Sequence, residues 1–391
     1  MWAVAPACDA FLRWRRLAVP RGSARPPEAG RAPGKILAVI PSRAEGARVG
    51  DLAGDLKREA VDVLVLLDGP DPDAEARLKA DGVKYLSKKI PGPAKGHALA
   101  FLAERMGAEL DAYDFILVFD VDMRLPEGFF RDLSVPEGTE IFQLPVRPAG
   151  APAPGAPHVE ALSLAAALAD DLARDAEGLP VRLRGKAMGF SPKAFRLGPA
   201  VATRTTAEDS EATLALLANG VRIRALSGPL AFDEPAPEAA AMTRSRARWF
   251  GGHLKLLAAG FGDLLRLAGK TPKGAFVLAC DLWLRPRIFL LGTLAFLAIA
   301  SDVLMVIFSS SGASPRPIAL LLCLLLLSLL GKSALLFEWL SLVTLRARIG
   351  YPLEVPAVTF ADLLSSLSVW ARAAGLALLA PSRWHRARPP A

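Results

Sequence analysis

From residue 36 to about 145, short apolar runs alternate with stretches of helical period. "ILAVI" (36–40), "VDVLVLL" (61–67) and "FILVF" (115–119) are nearly continuous apolar runs, the pattern of strands buried on both faces. Between them, "EGARVGDLAGDLKREA", "DAEARLKA" and "KGHALAFLAERM" read as helices. Strands separated by helices predict an α/β fold with a mostly parallel central sheet. Such sheets bind ligands outside the carboxyl ends of their strands. Asp68 and Asp120 stand just past two of those ends, which puts them on one rim. Further on, 145–157 is a Pro/Ala/Gly connector and "VEALSLAAALADDLARDA" (159–176) is helical. "VRLRGKAMGF" (181–190) is a strand or turn, "EDSEATLALLANG" (208–220) a helix stopped at Gly220, and "VRIRAL" (221–226) another strand. Residues 239–270 form a basic amphipathic stretch.

After residue 275 the pattern changes. Ile288 to Phe308 carries a single charge, Asp302, and Ile318 to Leu336 carries only Lys332. Each is long enough to cross a bilayer. Arg285 and Arg287 precede the first stretch, and Arg346 and Arg348 follow the second. The positive-inside rule then predicts two crossings with the large N-terminal domain in the cytoplasm. A third apolar stretch, about 360 to 380, contains Asp362 and Arg372 and reads as interfacial. The expected organisation is a basic tail at 1–34, a catalytic domain at 35–250 and an amphipathic interfacial segment at 251–287. Two transmembrane helices follow at 288–345, then an interfacial helix and basic tail at 346–391. The location implied is the inner, cytoplasmic membrane, multi-pass.

Composition sharpens this picture in two ways. A hydrophobic content of 52% is high for a chain without a membrane region, and the net charge of +8 sits beside the apolar part. That combination favours an anionic membrane surface over nucleic acid, for which no fold motif or aromatic-basic interleaving is present. The three cysteines and four histidines are scattered, which argues against a structural zinc site.

The chemistry begins at "YDFILVFDVDMRLPEGFF" (113–130). Alternation along a strand points Asp120 and Asp122 to the same side, and paired carboxylates repel unless a proton or a cation sits between them. They are either solvated loop residues or metal ligands. "AVIPSRAEG" (38–46) ends the first strand with a proline and a small polar residue, and "AKGHALA" (94–100) opens a helix with Lys95 and Gly96, a natural phosphate position. "AEDSEATLALLANG" sets Glu208 and Asp209 at a helix start, where the dipole favours carboxylates, and "RSRARW" (244–249) gathers three arginines and a tryptophan.

In this order and spacing the motifs resemble those of a family 2 glycosyltransferase, of the membrane-bound branch with cellulose and hyaluronan synthases and ceramide glucosyltransferases. "IPSRAEG" resembles the family's "IPxxNE", with Ala44 for asparagine; "FDVDMRLPEGF" its "DADxxxxPxxl"; and "RGKAMGFSPKAF" its acceptor-side "GxGxxfrrxal". "AEDSEATLALLANG" resembles "TEDxELtlrLlxxG", with Ala207 for threonine, and "SRARW" resembles "QRxRW", with Ser245 for glutamine.

The resemblance implies a GT-A-like domain that binds a nucleotide-sugar donor, UDP-linked. Pro41, Ser42, Glu45 and Asp68 would line the nucleoside side, and Lys95 would sit near the diphosphate. Asp120 and Asp122 would hold Mg²⁺ or Mn²⁺. Asp209 would be the general base of an inverting transfer, Arg246 and Arg248 would face the pyrophosphate, and Trp249 would meet the acceptor, a lipid or a saccharide. Two crossings are too few to wall off a growing polysaccharide. Single addition to a lipid-anchored acceptor is therefore expected, the alternative being a processive synthase that self-associates or borrows a membrane partner. A non-enzymatic rival, a degenerate scaffold, is motivated by Ala44, Ala207 and Ser245. A sugar-nucleotide pyrophosphorylase is disfavoured by the two apolar stretches and "SRARW".

Overall fold

The structure is a computed structural model that describes residues 30–59, 61–149, 170–234, 239–283 and 360–379, with scattered helical residues between 164 and 168, 299 and 307, and 325 and 333. The N-terminal tail up to residue 29, most of the connector and the C-terminal basic tail lie outside the described residues, as does the greater part of both expected spans. Among the described residues, no helix is long and apolar enough to cross a membrane.

In chain order the strands are β1 (Gly30–Arg31), β2 (Ile36–Ser42), β3 (Asp62–Asp68), β4 (Lys84–Lys88), β5 (Phe115–Val118) and β6 (Met123–Arg124). They continue with β7 (Val135–Pro136), β8 (Ile141–Gln143), β9 (Val146–Pro148), β10 (Met188–Phe190), β11 (Ile223–Ala225) and β12 (Ala231–Asp233). The main sheet has the order β11-β8-β10-β5-β2-β3-β4, while β6-β12-β9 and β1-β7 form small accessory sheets. β2, β3, β4 and β5 are mutually parallel, as the alternating pattern predicts. β10 runs antiparallel to both of its neighbours, so the sheet is mixed.

Continuous apolar runs make sense here because the central strands are covered on both sides. Leu37 and Val39 of β2, Leu66 of β3, and Ile116 and Val118 of β5 face one core. Ile36, Ala38, Ile40, Val65, Leu67, Phe115 and Leu117 face the other. The first core is closed by Ala98, Leu99 and Leu102 of α3 (Lys95–Met106), after α1 (Val49–Lys57) and α2 (Pro72–Ala80) have closed the second through Leu52, Leu56 and Leu78. Burying each such Leu or Ile contributes on the order of 2 kcal/mol, so this double burial specifies the strand register. Register in turn sets the site. Val39 pairs with Val118, and Ser42 with Leu67, so the ends of β2, β3 and β5 reach the same rim.

The rest of the domain packs against that rim. α4 (Pro192–Leu197) is capped by Ser191, and α5 (Glu208–Ala218) ends before Gly220, whose φ of +84° explains the stop that the sequence signals. The long amphipathic stretch is two helices, α6 (Ala239–Ala259) and α7 (Phe261–Lys270), divided at Gly260. A side chain at Gly260 would collide with Leu214 of α5 and with the Leu256 carbonyl, so packing requires a glycine at the break. α8 (Pro272–Trp283) and α9 (Phe360–Leu379) complete the described helices, and α9 packs along α6 through Val369 and Met242.

Two further glycines show how closely the elements are pressed together. A Cβ on Gly96 would stand 1.7 Å from the Ala202 carbonyl oxygen, and one on Gly252 would stand 2.7 Å from Ala207 N. α3 and α6 therefore both clamp the 202–207 loop that leads into α5. Glu211, itself buried, holds that loop from inside by accepting hydrogen bonds from Arg204 N (3.2 Å), Arg204 Nε (2.8 Å) and Thr205 N (2.9 Å).

Two substitutions should move stability in opposite directions. Gly96→Ala must separate α3 from the 202 loop and is expected to cost about 2 kcal/mol or more. Ala44 has φ +52°, where asparagine, the residue of the family pattern, is better tolerated. Ala44→Asn should stabilise by up to about 1 kcal/mol. Urea unfolding midpoints check both, and a Gly96→Ala variant as stable as the parent would remove the clamp from the account.

Candidate active site

The rim gathers charges that are far apart in sequence. Strand parity continues from Ile116 and Val118 to Asp120, which therefore turns toward the face covered by α3. There the Lys95 ammonium, on a residue only 7% exposed, lies 2.8 Å from Asp120 Oδ1 and 3.6 Å from Glu208 Oε1. It also donates to the Gly185 carbonyl at 2.5 Å. One cation thus joins the start of α3, the end of β5, the start of α5 and the 181–187 segment. Burial alone would lower the Lys95 pKa, but Asp120 and Glu208 outweigh it and hold the ammonium above its ordinary value. Conversely, burial works to raise Asp120, and Lys95, Lys186 and Arg248 hold its carboxyl below the usual range.

Asp122 is in the opposite state. Burial, with Asp233 and Asp120 nearby, pushes its carboxyl up to about 6, against the pull of Lys186 and Arg48. Asp233 comes from β12, which pairs with β6 so that Asp233 is opposite Met123. Lys186 forms an ion pair with Asp233, and its ammonium is raised because Asp233, Asp122 and Asp120 outweigh the cost of burial. Next to it, Glu234 N donates to the Asp122 carbonyl (3.1 Å), while the Glu234 carboxylate takes Arg48 (2.6 Å) and Arg124 (2.9 Å). That bridge ties the loop after β2 to the late strands across the rim.

Asp209 lies in the first turn of α5 and accepts from Ser210 N at 2.7 Å. Gly185 lies against it: with φ +82°, its added Cβ would come 3.6 Å from Asp209 Oδ2. A glycine here leaves one face of the carboxylate open to a partner. Glu208, facing Lys95, has a carboxyl raised chiefly by burial and by Asp209 beside it.

α6 brings the arginine cluster to the same place. Thr206 Oγ1 donates to the Arg248 carbonyl at 3.0 Å, fixing the helix against the loop before Asp209. Arg246 is 4% exposed and its guanidinium stacks 4.2 Å from the Trp249 ring. Burial and Arg248 together push its pKa down to about 9, the mark of cationic groups crowded where an anion would be favoured. Trp249, at 36% exposure, keeps an open face.

Pro41, Ser42, Glu45 and Asp68, the residues expected on the nucleoside side, stand at or just past the ends of β2 and β3. Pro41 and Ser42 end β2, and Ser42 Oγ is buried without a hydrogen-bond partner. Glu45 is half-buried, 4.0 Å from Arg48. Asp68 is enclosed: its oxygens accept Gly92 N at 3.0 and 3.1 Å, with Lys88 at 3.3 Å and Arg43 at 3.8 Å. In this conformation Asp68 anchors the 88–92 loop, and its carboxylate is closed to a ligand.

Lys186, Asp233, Glu234 and Glu211 escape the sequence reading. Lys186 stands within "RGKAMGF" and Glu211 within "EDSE", but nothing in either segment signals its partner. Asp233 and Glu234 carry no local signal, since strands of two and three residues bring them in.

A divalent ion fits the chemistry of Asp120 and Asp122. The donors are hard oxygens, and Asp122, raised by burial with Asp233 and Asp120 close by, is a carboxylate whose charge a cation would offset. Among the described residues, no three carboxylate, histidine or cysteine side chains are placed to hold an ion on their own. That suits a cation such as Mg²⁺ or Mn²⁺, which is commonly held by one or two carboxylates and completed by substrate phosphates and water.

The family model described as glycosyl transferase family group 2 matches residues 115–335. The mannosyltransferase PcManGT from Pyrobaculum calidifontis, solved in complex with GDP-Man and Mn²⁺, is similar in structure, with a TM-score of 0.51 at 13% identity. The likeness covers 88% of this chain and 94% of that one, and shows a shared fold. A CMP:2-keto-3-deoxy-manno-octonic acid synthetase complexed with CTP aligns over 52% of this chain and 92% of its own at 13% identity, and its TM-score of 0.32 is too low to carry weight. No curated protein sequence matches the chain. With an α/β, GT-A-like fold and a model match over more than half its length, the chain belongs to glycosyl transferase family group 2.

Proposed function

We propose that the protein is a membrane-bound, metal-dependent, inverting glycosyltransferase of the cellulose synthase, hyaluronan synthase and ceramide glucosyltransferase branch. It moves a sugar from a nucleotide diphosphate donor, UDP-linked, to a hydroxyl of a lipid-anchored or saccharide acceptor at the cytoplasmic face. The observation that carries this reading is the convergence of Lys95, Asp120, Glu208 and Asp209 from three elements on one strand rim, with Arg246 and Arg248 of α6 beside them.

Each residue then has a task. Pro41, Ser42 and Glu45 line the nucleoside side, and Asp68 shapes it by fixing the 88–92 loop. Lys95, Arg246 and Arg248 supply positive charge for the diphosphate, arginine being suited to bidentate phosphate contacts. A divalent cation on Asp120 and Asp122 would neutralise charge on the leaving diphosphate and orient it. Asp209 takes the proton from the acceptor hydroxyl. The acceptor oxygen forms the new bond to the anomeric carbon from the face opposite the diphosphate, whose bond to that carbon breaks. The configuration is inverted and the proton stays on Asp209. Trp249 offers its open face to the acceptor.

Membrane attachment is supported by a pairing within the two apolar stretches. Asp302, the single charge of the first, lies 2.7 Å from Lys332 of the second and accepts from Ser328 Oγ at 2.9 Å. Paired charges are what hydrocarbon demands of ionisable residues. α7 fits an interfacial position, since it buries Leu264 and Leu267 and exposes Phe261 and Leu265 beside the catalytic domain.

Two variants test the chemistry. Asp122→Asn should abolish transfer of labelled sugar and weaken Mn²⁺ binding, and wild-type transfer should stop in excess chelator. Full turnover without divalent metal would sink the metal assignment. Asp209→Asn should lower kcat by about 10²–10⁴ while donor KM stays near that of the parent. A rate within a few-fold of wild type would move the base elsewhere, with Glu208 the neighbour to examine.

A further inference from the structure

One buried cation near Asp209 has no place in the scheme above. Arg182 is 2% exposed, and its Nε and Nη1 are buried without hydrogen-bond partners. A guanidinium stripped of water with donors unmade is costly, and such groups in folded proteins normally have a partner. Of the carboxylates whose charge reaches it, Asp281 is paired with Arg174, Asp171 is paired with Arg184 at 2.6 Å through Oδ2 while its Oδ1 stays buried without a partner, and Asp209 is the proposed base. Arg184 also adds like charge, so that burial and Arg184 hold the Arg182 pKa below its ordinary value.

The position of Arg182 links it to the reaction. Its segment is stitched to the first turn of α5: Leu183 N donates to Thr213 Oγ1 at 3.0 Å, and Thr213 Oγ1 donates to the Asp209 carbonyl at 2.7 Å. Gly185, against the Asp209 carboxylate, is three residues on, a span of at most about 10 Å of chain. The Asp209 carboxylate is itself among the charges that act on the Arg182 guanidinium, so a group held by Arg182 lies near the proposed base. Arg184 and Lys186 follow at alternate positions and extend the positive character of the segment.

The geometry points to Arg182 as an anion subsite for the acceptor, taking a phosphate carried one headgroup away from the hydroxyl that is glycosylated. The chemistry is the same whether the phosphate belongs to a lipid or to a soluble sugar or polyol phosphate. The assignment of Arg182 to an acceptor rests on the glycosyltransfer reading; the binding of phosphate at this position does not.

The test is thermal unfolding of the full chain in detergent, in chloride and in phosphate at matched ionic strength. Inorganic phosphate at about ten times its dissociation constant should raise the wild-type Tm by about 2–4 °C. Arg182→Met should match or exceed the wild-type Tm in chloride, because an unpaired buried charge is gone, and should lose the phosphate increment. Arg182→Lys should keep a reduced increment. Glycerol 3-phosphate and a short-chain phosphatidic acid, run at equal concentration, distinguish the sources: a larger shift with the lipid assigns a lipid acceptor, and equal shifts a soluble one. A lower Tm or failure to fold in Arg182→Met would make Arg182 structural, and an equal phosphate shift in both proteins would place the anion in the donor site. No wild-type shift would also overturn the subsite. Donor hydrolysis measured in parallel separates these outcomes from failure of the glycosyltransfer reading, since it does not depend on phosphate binding at Arg182.

Discussion

The Lys95 ammonium is the contact on which the site depends. It sits between Asp120 and Glu208 and reaches the Gly185 carbonyl, so one cation links four segments of chain that converge at the strand rim. Removing it would leave Asp120 and Glu208 without their shared cation, at a cost below the roughly 3–5 kcal/mol of fully buried pairs because their side chains are 30% and 16% exposed. The fold supplies the conditions for this contact. Parallel β2, β3 and β5 bring Ser42, Asp68 and Asp120 to one edge, and Gly96 lets the start of α3 press against the 202 loop.

A second layer of charge surrounds that contact. Lys186 answers Asp233 and Asp122, Glu234 joins Arg48 to Arg124, and Glu211 holds the loop ahead of Asp209. These groups do not repeat the work of Lys95. They fix backbone positions around the Asp120–Asp122 pair and Asp209, and Thr206 anchors α6, with its Arg246, Arg248 and Trp249, to the loop before Asp209. Preorganised charge of this kind acts without reorganising when a diphosphate departs.

Much of this was legible in the sequence wherever one segment carries its own pattern. The three buried strands, α3, α5 and the Gly220 stop all follow from periodicity and turn chemistry, and Asp120, Asp209 and Lys95 stand at element ends that the pattern locates. What could not be read are contacts made by very short elements. β6 and β12 have two and three residues, too few for any period, yet their pairing brings Asp233 and Glu234 to Asp122 from more than 100 residues away. The need for glycine at the split of the 239–270 stretch was also hidden, because the side chain that leaves no room there is Leu214 on another helix. Asp68 shows the converse: its position was legible, but the loop closed over it by Gly92, Lys88 and Arg43 was not. Ala44 departs from the family pattern at a left-handed residue, where alanine is tolerated less well than asparagine.

The central claim is that this rim binds a nucleotide sugar and transfers its sugar. The most direct measurement is incubation of the purified, detergent-solubilised protein with labelled UDP- and GDP-sugars, with Mn²⁺ or excess chelator, adding membranes as acceptor source. Released nucleoside diphosphate and the partition of label between organic-soluble and high-mass material are both read. The account predicts Mn²⁺-dependent release of the diphosphate from one donor class, with the label moving into organic-soluble product. Absence of metal-stimulated release from every donor would contradict it, and label accumulating in long insoluble polymer would replace single addition with processive synthesis.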